Sequence, residues 1–147
     1  MNPEQLSDAM NELPQELLEE DLPYDMTADV VEITPENYGI WYIDALDNKE
    51  RYEGKIVEFT AMVLKSPEFP KNYFVPGRMA MTCCEADMTF LGFLCKWKDA
   101  ASFRTKDWVR VQAEIGVEYQ KDYRGEGPVL YAKKVERAKE IKDIVQF

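Results

Sequence analysis

Between Glu53 and Arg137 the apolar residues recur at every second position, a spacing that an extended strand satisfies and a helix does not. Five such runs follow one another, separated by segments rich in Gly, Pro, Asn, Asp and Ser. They are KIVEFTAMVL, YFVPGRMAMTCC, MTFLGFLCKW, WVRVQAEIGV and PVLYAKKVER. Within the second run, Pro76-Gly77 indicates a bulge or bend. The period therefore predicts a mainly β domain.

The order of these runs favours one architecture. A polar segment with a short helical turn, KDAASFRTKD, separates the third run from the fourth. Strand, strand, strand, short helix, strand, strand is the order of an oligonucleotide- and oligosaccharide-binding (OB) barrel, which closes five strands in a Greek key and hides the sheet edges. We therefore predict a small five-stranded OB-like β-barrel, with a β-sandwich as the alternative.

One amphipathic helix precedes the strands. Thr34, Pro35 and Glu36 form a helix start, and Ile33 has the spacing of a hydrophobic staple to the residue five positions later. These signals predict a helix over 35–47. Its apolar stripe, at three- and four-residue spacing, is predicted to pack on the barrel and consists of Tyr38, Trp41, Tyr42 and Ala45.

The charge is distributed unevenly along the chain. Residues 1–48 contain 13 Asp or Glu and no Lys or Arg, which leaves 15 acids against 18 bases in residues 49–147, so the net charge of −10 is −13 plus +3. We expect residues 1–29 to be an acidic leader, partly ordered or helical and otherwise a solvated linker. The barrel domain then covers 30–137, and 138–147 is a charged tail.

Composition excludes several functional classes. The chain has no histidine, which removes the commonest general base and a common metal ligand. Three cysteines are too few for a disulfide framework. The apolar stretches are shorter than the roughly 20 residues that span a bilayer, so we expect a soluble chain. No catalytic set can be assembled from these residues, and we do not expect an enzyme.

The segment RMAMTCCEAD, residues 78–87, holds the side chains best suited to chemistry. Alternation along an unbroken strand divides it into a core face and an outer face. The predicted core face holds Met79, Met81 and Cys83. The other face holds Arg78, Ala80, Thr82 and Cys84. Arg78, Cys84 and Asp87 are therefore the candidate ligand-binding residues.

Four interpretations of the cysteines remain open. They can be small buried hydrophobes, or redox thiols activated by a nearby cation, or partners in a disulfide. They can also be thiolate ligands of a soft metal ion such as zinc. The candidate metal ligands are Cys83, Cys84, Asp87 and Cys95. A cysteine nucleophile is disfavoured, because without histidine it lacks its usual activating base. Cysteine-based redox activity is therefore the remaining enzymatic alternative.

The motif R-x4-CC-x-AD resembles a known family. It is followed by a strand containing Gly92 and by a strand that begins Trp108-Val109, and together these features are similar to the soluble C-terminal domain of the second subunit of predicted bacterial two-component permeases. In that family a membrane-spanning region precedes the domain. The resemblance covers about residues 30–137 and implies that this chain is the soluble domain alone.

The resemblance also implies a location and a partner. It implies a non-enzymatic accessory domain on the extracytoplasmic face of the bacterial cell membrane, with a multi-spanning permease subunit as its partner. The CC-x-AD corner is then the candidate contact with a soft metal ion or with the transported substrate. The alternative is an OB-type nucleic-acid or ligand-binding module, but nucleic acid is not expected because the body carries a balance of only +3.

Overall fold

The computed structural model describes residues 18–81, 88–120 and 125–146. Within these residues the chain is mainly β, as the sequence predicts, and each of the five alternating runs contains a strand. The third run, predicted as one strand, is divided at Phe93-Leu94 into two. The strands are β1 Val31–Glu32, β2 Ile56–Leu64, β3 Tyr73–Met81, β4 Met88–Gly92, β5 Cys95–Lys96, β6 Trp108–Gln120, β7 Gly125–Arg137 and β8 Val145–Gln146. A short 3₁₀ turn, Ala100–Ser102, occupies the predicted helical segment before β6.

The predicted helix is present over the predicted residues. A 3₁₀ turn at Pro35–Asn37 leads directly into helix α1, Tyr38–Asp47, and one further turn, α2, spans Lys49–Tyr52. Thr34 precedes it in an extended conformation but makes no side-chain capping bond. The start therefore depends on Pro35, whose fixed φ suits the first helical position. No helix in the described part of the chain is long and apolar enough to cross a bilayer.

The strand pairings close the sheet on itself. β2 pairs antiparallel with both β3 and β6, β6 pairs antiparallel with β7, β7 pairs parallel with β5, and β5 pairs antiparallel with β3. The ring β2-β3-β5-β7-β6 is a five-stranded Greek-key closure, the arrangement of an OB barrel. β1 lies parallel beside β2, and β8 lies parallel beside β3.

β3 changes partners at Gly77, which pairs with Met62 of β2 on one side and with Gly92 of β4 on the other. A Cβ atom added at Gly77 would lie 2.4 Å from the carbonyl oxygen of Leu91, closer than real Cβ atoms come. The strand runs through Pro76 and Gly77 without interruption. In place of the predicted bulge or bend, β3 changes its partner strand at a glycine that permits close approach.

The apolar stripe of α1 packs on the barrel, as predicted. The Trp41 ring lies 5.1 Å from the ring of Phe59 and 5.4 Å from the ring of Phe93, between centroids. Tyr42 is half-buried and stacks on Phe93 at 4.6 Å. The helix therefore closes one side of the core with aromatic rings, and these contacts support packing rather than ligand binding as the role of the stripe.

The described part of the acidic leader, residues 18–29, differs from the expected solvated linker. Leu22, Tyr24 and Met26 are buried in the core. Lys55 Nζ also donates a hydrogen bond to the Met26 carbonyl oxygen at 3.1 Å. From Leu22 to Met26 every second side chain is buried, and Asp25 between them faces solvent, as do the acidic residues 19–21.

The tail after β7 also belongs to the fold. Val145 of β8 is buried and lies beside Ala80 of β3 in a parallel pair. Five residues of tail, 140–144, pass over the outside of the barrel before β8 begins and line a groove there. The segment predicted as a charged appendage therefore covers one end of β3.

Candidate functional site

The burial pattern of β3 reverses the predicted faces in the described part of RMAMTCCEAD. Arg78 is only 2% exposed and Ala80 is fully buried, whereas Met79 and Met81 are half-buried. The prediction that Met79 and Met81 form the core face is wrong. Alternation along the strand separates the two faces but does not say which one is covered, and here helix α1 and the tail cover the face of Arg78.

Arg78 is incompletely paired in this enclosed position. Its Nη2 donates a hydrogen bond to the carbonyl oxygen of Asp143 in the tail at 2.7 Å. Its Nη1 is buried and has no hydrogen-bond partner among the described residues. The guanidinium carbon lies 5.8 Å from the centre of the Tyr38 ring, within cation–π range. Burial lowers the pKa of Arg78, while Tyr38 and nearby acids act in the opposite direction.

Tyr38 is held in place as the cover of this guanidinium. Its hydroxyl donates a hydrogen bond to the carbonyl oxygen of Leu91 in β4 at 2.8 Å, and burial raises its pKa well above the usual value. Leu91 is also the residue paired with Arg78 across the β3–β4 ladder. The helix and the two strands thus fix the position of the charged group.

Arg78 lines a groove between the barrel and the tail. The groove has a volume of about 320 Å³, in the range of small-molecule sites, roughly 300–1,000 Å³. Its walls are mostly thioether, aromatic and aliphatic side chains, with three charged residues on the tail. Besides Arg78 the lining residues are Met62, Met79, Met88, Trp108, Glu140, Ile141, Lys142, Asp143 and Ile144. The sequence contained a signal for this wall in the methionines of the two strands, of which the prediction assigned those on β3, Met79 and Met81, to the core.

The other predicted site residues near Arg78 lie outside the described residues: Cys83, Cys84 and Asp87. The described residues that flank them, Met81 and Met88, are paired directly across the β3–β4 ladder. The predictions for these three side chains stay predictions.

Cys95 is buried, with 0% of its surface exposed, and it is a free cysteine. It pairs with Phe74 near the start of β3, seven residues before Met81, which corresponds to about 23 Å of extended strand. Burial raises the pKa of its thiol above the usual range. These surroundings favour the structural interpretation of Cys95. Among the residues that the structure describes, no three Cys, Asp or Glu side chains are grouped closely enough to hold a metal ion.

A second buried polar cluster was not predicted. Asp44 of α1 is 6% exposed and accepts hydrogen bonds from Asn48 Nδ2 at 2.7 Å, Arg51 Nη1 at 2.8 Å and the Tyr52 hydroxyl at 2.6 Å. The Tyr24 hydroxyl lies 2.6 Å from the Tyr52 hydroxyl. Because Tyr52 donates its one proton to Asp44, Tyr24 donates to Tyr52. The signal for this cluster in the sequence was an acidic residue, Asp44, next to Ala45 of the apolar stripe of the helix.

Comparison with known proteins gives one family match and several distant structural likenesses. The family model described as the DUF1980 C-terminal domain matches residues 9–145. No curated protein matches the sequence.

Three solved structures have a low similarity to this chain. OBody NL8 bound to hen egg-white lysozyme has a TM-score of 0.39 and 9% identity over 60% of this chain and 98% of its own. Rim1, a mitochondrial single-stranded DNA-binding protein from S. cerevisiae, has a TM-score of 0.36 and 13% sequence identity, over 60% of this chain and 99% of its own. A small single-stranded DNA-binding protein from Streptomyces coelicolor has a TM-score of 0.37 and 13% sequence identity, over 58% of this chain and 93% of its own.

Proposed function

The chain belongs to the DUF1980 C-terminal domain family, and on that premise we propose that it is a non-enzymatic accessory domain of a membrane permease. In this proposal the domain contacts a soft metal ion at the end of the β3–β4 hairpin. The partner is a multi-spanning permease subunit, and the domain works on the extracytoplasmic face of the bacterial cell membrane.

The observation that carries the proposal is a row of thioethers on the outer face of this hairpin. Met81 and Met88 are directly opposite each other, so their Cβ atoms are about 5 Å apart. Met79 lies two residues earlier on the same face, about 6.6 Å along β3. Met62 lies opposite Gly77 and continues the row on β2. Soft donors therefore lead toward the segment whose sequence contains two thiols.

The donor set favours one class of ion. Thiolate and thioether sulfur select Cu(I) and similar soft ions over hard ones. Zinc, the ion that the cysteines alone suggested, prefers four thiolate, imidazole or carboxylate ligands, and thioethers are not among its usual ligands. We propose Cys83, Cys84 and Asp87 as the primary contacts, with the methionine row as the approach. Arg78 is not among the contacts, because a protonated guanidinium has no free electron pair to donate to a metal ion.

Calorimetric titration of the fully reduced protein tests this proposal. Silver(I) serves as an air-stable probe for Cu(I), in nitrate buffer without chloride, and Zn(II) is titrated in parallel. We expect binding of about one Ag(I) per chain and weaker binding of Zn(II). The Cys84→Ser variant is expected to bind Ag(I) at least about tenfold more weakly, a loss of ~1.4 kcal/mol.

Cys95→Ala is the matched control, because this thiol is buried in the core and its removal leaves the proposed contacts intact. Ag(I) binding weaker than about millimolar in the wild-type chain would reject the metal contact. Equal losses in the Cys84→Ser and Cys95→Ala variants would also count against it, because they would indicate a general effect of destabilising the fold.

The permease contact needs a separate test. The chain is co-expressed with a multi-spanning permease from a genome that encodes both, and the permease is purified in mild detergent by a tag of its own. We expect the domain to co-purify at a stoichiometric ratio. A permease that purifies without the domain at every detergent and salt concentration would contradict the partnership and leave the metal proposal standing.

A nucleic-acid-binding module is the alternative, and its charges argue against it. Single-stranded nucleic acid needs a positive track with stacking aromatic rings. On the outer face of the barrel Arg110 is already paired with Glu32 and Glu58, and the groove beside β3 carries Glu140 and Asp143. Salt-sensitive binding of a fluorescent oligonucleotide at low ionic strength would favour this alternative.

A further inference from the structure

Arg78 Nη1 is buried without a hydrogen-bond partner among the described residues, and the proposed metal contact does not explain why. A buried donor that makes no hydrogen bond costs about 1–3 kcal/mol, and more when it is charged. Arg78 lines the groove, is almost fully buried and directs one nitrogen, Nη2, to the tail carbonyl at Asp143, while Nη1 has no partner among the described residues. Because Arg78 is among the residues that line the groove, a ligand bound there is the candidate partner for Nη1.

The charges around the groove select the chemistry of that ligand. A guanidinium binds carboxylates and phosphates through its planar set of donors. The lining holds Arg78 and Lys142 against Glu140 and Asp143, so its formal charge sums to zero. A dianion such as phosphate would be repelled by the two carboxylates, whereas a monoanion that contacts Arg78 directly is tolerated.

The walls select the rest of the molecule. Met62, Met79, Met88 and Trp108 present flexible thioethers and one indole ring, surfaces that adapt to an apolar chain. We propose that this groove binds an amphipathic monocarboxylate, whose carboxylate accepts hydrogen bonds from Arg78 Nη1 and whose apolar body lies against these four side chains. This ligand goes beyond the proposed metal contact, because it requires neither Cys83 nor Cys84.

Methyl NMR of the whole chain, with ¹³C-labelled methionine methyl groups, tests the site directly. Sodium hexanoate is the probe, and hexanamide and inorganic phosphate are the comparisons. We expect hexanoate to shift the signals of Met62, Met79 and Met88 with saturation. Met26 is buried in the leader contact and serves as the internal control. Hexanamide is expected to bind at least about tenfold more weakly, since it lacks the charge.

Two variants of opposite charge at one exposed position of the groove wall test the electrostatic role of Arg78 without disturbing the core. Met88 is 36% exposed and tolerates polar substitution. We expect Met88→Glu to weaken hexanoate binding about two- to fivefold and Met88→Lys to leave it unchanged or strengthen it, the size of a partly solvated charge effect. Opposite or equal effects of the two variants would overturn the electrostatic role assigned to Arg78.

Two crossed variants separate this inference from the metal proposal. Arg78→Leu, which adds no thioether, should abolish the preference for hexanoate over hexanamide and leave Ag(I) binding unchanged. Cys84→Ser should weaken Ag(I) binding and leave the preference for hexanoate unchanged. Equal affinities for hexanoate and hexanamide in the wild-type chain would identify an apolar groove without an anion site and overturn the inference. Tighter binding of phosphate than of hexanoate would overturn the choice of a monocarboxylate.

Discussion

The Asp44 cluster and the Arg78 site each bury one formal charge, but they satisfy it to different degrees. Both carboxylate oxygens of Asp44 accept hydrogen bonds, from Asn48, Arg51 and Tyr52. Among the described residues Arg78 donates to one carbonyl oxygen, and its Nη1 has no partner, while the residue lines a groove. A complete network stabilises a fold, whereas a buried donor without a partner lowers its stability unless a ligand pairs with it.

The largest expected effect is at the complete network. Asp44→Ala removes the acceptor shared by Tyr52, Arg51 and Asn48 and leaves the Tyr52 hydroxyl buried without it. We expect a loss of about 3 kcal/mol in the free energy of unfolding, as when one partner of a buried charged pair is removed. Urea unfolding followed by circular dichroism measures it.

Asp47→Ala on the same helix is the matched control, because Asp47 is exposed and surface substitutions usually change stability by less than about 0.5 kcal/mol. A loss at Asp44 no larger than that at Asp47 would remove the contrast between the two buried charges, because the complete network would then contribute nothing measurable.

Alkaline pH tests the same network with a smaller effect. Burial raises the pKa of Tyr24 well above its usual value of about 10, so the folded state keeps the proton that the unfolded state releases. The stability that depends on this proton is present below pH 10 and is lost as the pH rises above it. We expect the Tyr24→Phe variant to lose about 1.4 kcal/mol less than wild type between pH 8 and pH 11.

The measurement is the free energy of unfolding of both chains at the two pH values. The value at pH 8 gives the cost of the missing Tyr24 hydroxyl alone, and the difference at pH 11 isolates its proton. Parallel pH dependence in the two chains would mean that Tyr24 ionises as readily in the folded state as in the unfolded state, so that burial does not raise its pKa.

Local patterns predicted most of the fold, and contacts distant in sequence account for what was missed. The helix over 35–47 and the five alternating runs follow from spacing and turn residues within short windows. The burial of Arg78 depends on Asp143 and β8, which are more than 60 residues away. The partners of Asp44 include Tyr52 on the next helical turn, and the link continues to Tyr24 in the leader. Alternation in β3 gave two faces correctly and could not decide which one was covered.

The smallest expected effect on stability is at the incomplete site. Arg78→Met keeps the length and apolar contacts of the side chain and removes a buried charge that lacks full pairing. Exchanging such a group for an apolar one is often neutral, so we expect a change of less than about 1 kcal/mol in the free energy of unfolding. The same urea experiment as for Asp44 measures it.

Arg78→Lys sharpens this result, because it retains a charge but loses the planar donors that reach Asp143 and Tyr38. An ammonium group enclosed with fewer hydrogen bonds is disfavoured by burial, so the lysine variant is expected to be less stable than the methionine variant despite the conserved charge. A loss near 3 kcal/mol for Arg78→Met, equal to that for Asp44→Ala, would instead place Arg78 among the structural residues. The groove would then lack the unsatisfied donor that distinguishes it from the Asp44 cluster.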